Sequence, residues 1–191
     1  MKKSLIDLSS LVIWFLVIIL INTVSGYFFA RFDLTQEKRY TLSEATTDQL
    51  ENLEDVVFIR VYLEGNLPTE FRELHDATKE LLDEFRAYGG MNIEYEFINP
   101  SISPDEKERV EVYKELTRQG LQYTNIRMQA GDKTSEQIVF PGAIISFHGR
   151  EVPIQILKSV AGATEQEMIA ASIQQLEYEF VSAIRRVNQA T

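Results

Sequence analysis

Beyond residue 40, apolar positions recur with two different periods, and the switches between them divide the chain into elements. The Thr41-Leu42-Ser43-Glu44 run has the Thr-x-x-Glu form of a capping box and predicts a short helix to about Leu53. Residues 56–64 (VVFIRVYLE) are rich in β-branched and aromatic residues, too apolar for a strand with one solvated face, and predict a central strand ended by Gly65-Asn66-Leu67-Pro68. From Pro68 to Tyr88 the residues Phe71, Leu74, Thr78, Leu81, Leu82, Phe85 and Tyr88 fall at helical spacing. Pro68 suits a first turn, and Gly89-Gly90 closes the helix.

Residues 91–98 (MNIEYEFI) alternate, with Met91, Ile93, Tyr95 and Phe97 on one face and Asn92, Glu94 and Glu96 on the other, which predicts a second strand broken by Asn99-Pro100. Residues 104–119 predict a charged helix with Val112, Tyr113 and Leu116 as its buried stripe and Gly120 as its end. Two strands are expected at 121–128 and 137–140 around the Gly131-Asp132-Lys133 turn. A hairpin is expected from 143–147 and 151–157 flanking His148-Gly149-Arg150. Residues 166–187 predict a long helix with Ile169, Ile173, Leu176, Phe180, Ile184 and Val187 inward.

This order implies an α/β fold, a mixed sheet with helices on both faces, because strand-helix-strand units join parallel neighbours by right-handed crossovers. A thioredoxin-like sheet fits the order best. In that fold Phe140-Pro141-Gly142 sits where a cis-proline is placed, so the bond before Pro141 is expected to be cis. Glu64, Gly65, Asn66 and Leu67 then occupy the loop where a redox Cys pair would stand, at the carboxyl end of a central strand, where open α/β sheets bind ligands. With Pro141 against it, that loop is the candidate partner or ligand surface.

The N-terminal pattern is different. Residues 11–21 (LVIWFLVIILI) are unbroken apolar sequence, and the window 5–29 is long enough for a transmembrane helix, since about 20 residues cross a hydrocarbon core of about 30 Å. Leu11, Trp14, Phe15, Ile18 and Ile21 are its anchor residues. Lys2 and Lys3 precede the run, so the positive-inside tendency keeps the N-terminus cytoplasmic and sends the rest across, with Tyr27, Phe28 and Phe29 as an outer aromatic belt. A cleaved signal peptide competes with this reading, because Val24 and Gly26 are small enough for a cleavage site. Bulky residues directly after Gly26 favour the uncleaved anchor, and both readings export the rest of the chain. Residues 1–30 are thus assigned to the cytoplasmic N-terminus and membrane helix, 31–54 to a membrane-proximal stalk with the short helix, and 55–191 to the exported α/β domain.

Composition narrows the chemistry. The chain has 191 residues, no cysteine and a formal net charge of −10, and three of its cations (Lys2, Lys3, Arg31) stand in the N-terminal region, so the domain is more acidic still. That charge opposes nucleic acid and anionic headgroups as partners and leaves the apolar helix as the membrane attachment. Without cysteine there is no thiol catalysis, disulfide exchange or thiolate metal site. The two histidines, His75 and His148, lack metal-ligand spacing, and no glycine-rich phosphate loop occurs. The acidic groups Asp83-Glu84, Glu94 with Glu96, and Asp105-Glu106-Glu108 fit solvated faces. Neither a cofactor nor a catalytic residue is expected.

Several segments carry a resemblance: Arg31-Phe32-Asp33-Leu34-Thr35, Arg39-Tyr40-Thr41-Leu42-Ser43, YLEGNLP, ATKELLDEFRAY, YEFINP and FPGAII, in that order. Together they resemble the GldG family of gliding-motility-associated ABC-transporter auxiliary proteins, over essentially the whole chain. The resemblance implies a single-pass inner-membrane protein of Bacteroidetes-type bacteria with a periplasmic main domain. It also implies partners, an ABC permease and, indirectly, a cytoplasmic ATPase, in a complex associated with gliding and protein secretion. Members of that family are longer, with a further α/β module, so the chain is expected to correspond to their N-terminal part. The expected function is therefore a non-catalytic, membrane-anchored transporter subunit. The alternative is a freestanding exported ligand-binding protein or enzyme using the Gly65-Asn66 loop. Intact mass of the membrane-extracted chain separates anchor from signal peptide: the anchor reading expects residues 1–26 to be retained, and loss of that mass overturns it.

Overall fold

The computed structural model describes Trp14, Phe15, Val17 and residues 42–130 and 133–189, with the backbone alone at 127–130 and 133–135. Trp14, Phe15 and Val17 are helical, with Trp14 and Phe15 exposed, whereas Leu11, Ile18, Ile21 and the expected stalk residues 31–41 lie outside the described residues. Among the described residues no helix is long and apolar enough to cross a membrane.

Residues 42–189 form a mixed α/β unit. Its elements are α1 (Glu44–Glu51), β1 (Val57–Val61), α2 (Thr69–Gly89), β2 (Ile93–Phe97), α3 (Glu106–Arg118), β3 (Thr124–Ala130), β4 (Lys133–Val139), β5 (Gly142–Phe147), β6 (Arg150–Gln155) and α4 (Glu165–Gln189). Four strands make one sheet in the order β2-β1-β5-β6, with β1 parallel to β2 and β5 antiparallel to both β1 and β6. The strands β3 and β4 pair antiparallel as a separate ribbon, and the turn expected at 131–132 lies outside the described residues.

The sheet's two faces are unequal. One face carries Val57, Ile59, Val61 and Leu63 with Ala143, Ile145, Phe147, Ile154 and Ile156, all buried. It packs against Phe71, Leu74, Leu82 and Phe85 of α2 and Ile169, Leu176, Phe180, Ile184 and Val187 of α4. Phe85 and Phe180 meet edge to face, ring centroids 6.4 Å apart, the geometry that places a positive ring edge on a negative face. On the other face Tyr62, Phe140 and Ile144 join Leu116 of α3 and Leu121 in a smaller core. There Arg60 pairs with Glu151, and Glu94 and Glu96 are exposed.

The short helix caps differently from expectation. Ser43 is its N-cap, the hydroxyl accepting from the Thr46 N–H, and Leu42, Leu50 and Leu53 enter the main core, so α1 is part of the compact unit. Met91 is 90 % exposed because a 3-10 turn over Gly90–Asn92 separates α2 from β2, so the strand begins two residues later than the alternation implied. In α3, Leu116 is buried and Tyr113 half-buried, but Val112 is exposed, as the helix presents only one narrow stripe to the smaller core.

The expected cis bond is corrected: the bond before Pro141 is trans. Direction reverses elsewhere. The Tyr62 N–H donates to the Gly142 carbonyl at 2.9 Å and brings β5 into register with β1 without help from proline isomerism. The β5–β6 hairpin turns on His148 (φ 49) and Gly149 (φ 77), the pair of positive φ values that matches strand twist in a two-residue turn.

Beside β2, the Tyr95 hydroxyl donates to the Asp83 carboxylate, Lys79 reaches the same carboxylate at 3.0 Å, and Arg86 lies over the Tyr95 ring at 4.2 Å. Burial first, then the Asp83 bond, pushes the Tyr95 hydroxyl up to about 12. The Tyr95 bond, partly offset by desolvation, and the Lys79 bond hold Asp83 below the usual carboxylate range. Because the folded Tyr95 keeps its proton where the unfolded one loses it, this contribution to stability is complete below the unfolded value near 10 and is lost as pH rises toward about 12. Denaturant unfolding between pH 9 and 12 should therefore show a shallower alkaline fall in the Tyr95→Phe variant than in the parent; parallel curves would contradict the coupling.

Candidate functional site

The carboxyl ends of the parallel pair β1 and β2 form the edge at which open α/β sheets expose loops to ligands. After Val61, the chain continues through the buried Tyr62 and Leu63 to Glu64, whose side chain is the centre of the loop. Glu64 Oε1 accepts from the Gly65 N–H at 2.9 Å, and Glu64 Oε2 lies 3.0 Å from His75 Nε2. The other ring nitrogen, Nδ1, is 2.8 Å from Asp76 Oδ1, and the imidazole leans on Phe97 with centroids 4.6 Å apart. The His75 side chain is 18 % exposed. Ionised carboxylates only accept hydrogen bonds, so both contacts form together when both ring nitrogens carry hydrogen.

Gly65 has φ 119, a conformation that L side chains rarely adopt. A Cβ there would also come within 2.9 Å of Asn99 Nδ2 at the end of β2, so loop and strand end approach as closely as a glycine allows. Asn99 itself is fixed, its Oδ1 accepting from the Ser101 N–H at 2.9 Å. Leu67 is buried, and its carbonyl accepts from Arg72 Nη2 at 3.1 Å, tying the loop to the first turn of α2.

Of the residues singled out in sequence, Glu64, Gly65, Asn66 and Leu67 thus stand together at this edge. Pro141 is placed beside the neighbouring strands. Its carbonyl accepts from the Ile156 and Leu157 N–H groups at 2.8 and 3.2 Å, while Gly65 packs on Asn99. Sequence reasoning missed His75, Asp76 and Asn99 as members. The available signal was helical spacing: His75 follows Phe71 by four residues and so lies near the buried side of α2.

An imidazole held between two carboxylates can store or pass a proton, but the contacts described for the ring are those carboxylates and Phe97, with no nucleophilic side chain among them. Among the described residues no group of three or more His, Asp or Glu is placed to hold a metal ion. The second histidine is at the opposite end of the sheet, where His148 Nε2 contacts Asp55 Oδ2 at 2.7 Å. That bond, then the Val56 N–H, holds the Asp55 carboxyl below its ordinary range.

A family model, described as a domain of unknown function, matches residues 36–146. The chain belongs to the DUF7088 family. No curated protein matches it, and no solved structure does. The DUF7088 match takes in the whole Glu64–His75–Asn99 edge and ends one residue before the end of β5, whereas β6 and α4 complete the sheet and the main core.

Gly65→Ala must accept both the positive φ and the collision with Asn99, a strain of roughly 1–3 kcal/mol. Equilibrium unfolding should show a loss of that size. Gly65→Ala combined with Asn99→Gly should recover only part of it, because the backbone strain remains; an unchanged midpoint in the single variant would contradict the geometry.

Proposed function

We propose that the chain is a non-catalytic, membrane-anchored auxiliary subunit of an ABC-transporter complex associated with gliding motility and protein secretion. Its N-terminal apolar segment packs on the permease in a bacterial inner membrane, and its acidic α/β domain acts on the periplasmic side. The observation that carries this reading is where the motifs resembling the GldG family fall in space. YLEGNLP forms the segment that follows β1 into its loop, YEFINP the last three residues of β2 and the Asn99 bend, and FPGAII opens β5. Gly65 touches Asn99 and the Tyr62 N–H bonds Gly142, so three motifs distant in sequence lie together at one sheet edge.

We further read the sheet as thioredoxin-like. Support comes from the order β2-β1-β5-β6 with β5 antiparallel. The trans bond before Pro141 and the lack of a cysteine pair leave that plan without its redox features, as a scaffold for loops.

A second reading, a freestanding exported ligand-binding protein, draws on the Glu64–His75–Asp76 contacts beside Gly65 and Asn66. Affinity purification of the full chain from native membranes distinguishes the two. The subunit reading expects a permease and an ATPase in constant ratio to the chain. Recovery of the chain without either, together with thermal stabilisation by a glycan, peptide or nucleotide, would overturn it in favour of the second.

A further inference from the structure

Among the described residues the sheet ends at β6 and β2, and the two outer edges differ chemically. At β6, Phe147 and Arg150 flank the two-residue turn and form a hydrogen-bonded pair, so the alternation along the hairpin makes Ile144 and Pro153 a non-hydrogen-bonded pair. The Pro153 nitrogen therefore faces outward and offers no donor to a further strand. That edge is closed.

At β2 the opposite holds. The Ile98 N–H donates to the Val61 carbonyl at 2.8 Å, and in a parallel ladder residues two apart face the same way. Backbone groups of Glu94 and Glu96 therefore face β1, and those of Ile93, Tyr95 and Phe97 face outward. Among the described residues no strand pairs with β2 on that side, and it contains neither proline nor glycine. Its side chains divide by face. Glu94 and Glu96 are exposed on the open face without an ion pair among the described residues, since Arg60, beside Glu96 in register, pairs with Glu151. Tyr95 and Phe97 are half-buried on the helix side.

We propose that the outer edge of β2 is a docking site for an extended segment of a protein partner that carries Lys or Arg at alternate positions. The segment adds a fifth strand through the groups of Ile93, Tyr95 and Phe97, its cations opposite Glu94 and Glu96 and its intervening apolar residues beside Tyr95 and Phe97. A second copy of this chain does not fit: antiparallel pairing centred on Tyr95 sets Glu94 against Glu96 twice, and like charges directly opposite destabilise a strand pair. This inference does not rest on the transporter reading, because it follows from the edge alone.

Amide hydrogen exchange of the 15N-labelled full chain in detergent micelles tests it with two capped peptides, Lys-Val-Lys-Val-Lys-Val-Lys and its Glu-for-Lys counterpart. The Lys peptide is expected to slow exchange at Ile93, Tyr95 and Phe97 at least tenfold while Glu94 and Glu96, already bonded to β1, change little; the Glu peptide should do neither. In the Glu94→Lys, Glu96→Lys double variant the preference should reverse, with β1 and α4 amides as the control for folding. Should that variant fail to fold, the two peptides on the parent chain decide. Equal effects of both peptides, protection without the odd-residue alternation, or protection by self-association without peptide would each overturn the proposal.

Discussion

Burial of β1 in the middle of the sheet is the constraint on which the rest of the domain depends. Val57, Ile59 and Val61 face the helices and are fully buried, Phe58 and Arg60 on the other face are half-buried, and as an inner strand β1 must satisfy its peptide groups with strand partners. The partners are β2 on one side and β5 on the other. Because β2 runs parallel, its connection must cross the sheet, and α2 makes that crossing; because β5 runs antiparallel, it can return directly into β6 by a two-residue turn. Helix positions follow from the strand pairings rather than the reverse.

The carboxyl edge inherits its shape from the same strand. When β1 ends, the chain must turn into α2 while β2 ends beside it, and the space left between the two strand ends admits no Cβ at residue 65. The Glu64 carboxylate closes the turn by accepting the Gly65 N–H and reaching His75 on α2. A loop fixed by these contacts presents a surface of defined shape.

Much of this is legible in sequence, for a physical reason. The stripes of α2 and α4 and the mostly apolar run of β1 are patterns read against one continuous core, and Phe71, Leu74, Phe85, Ile169, Phe180 and Ile184 are buried as their spacing requires. The failures are short and local. Met91 fits the alternation but lies within a tight turn, and Val112 fits the stripe of a helix that covers only part of its sheet face. The helix is capped by Ser43, which has Thr46 rather than Glu three residues on, so the Thr-x-x-Glu pattern at Thr41 places the cap two residues too early. The cis expectation at Pro141 rests on analogy of position, and backbone isomerism is set by contacts that no pattern of residue types encodes. His75 escapes notice because its partners, Glu64 and Phe97, are eleven and twenty-two residues away on different elements.

The clasp between the first and last helices has a consequence for the order in which the chain is made. The Ser43 N–H and the Thr46 hydroxyl both bond to Glu177, and Gln49 reaches the Val181 carbonyl, across 131 to 134 residues of intervening chain. At a synthesis rate of about 5–20 residues per second, α1 therefore exists for roughly 7 to 27 s before its partner helix does. Early in that interval β1 lacks both β2 and β5, and throughout it the apolar face of β1 lacks the α4 helix. Whatever holds the nascent chain during synthesis must keep β1 from pairing with another chain until the final helix arrives and closes the core over it.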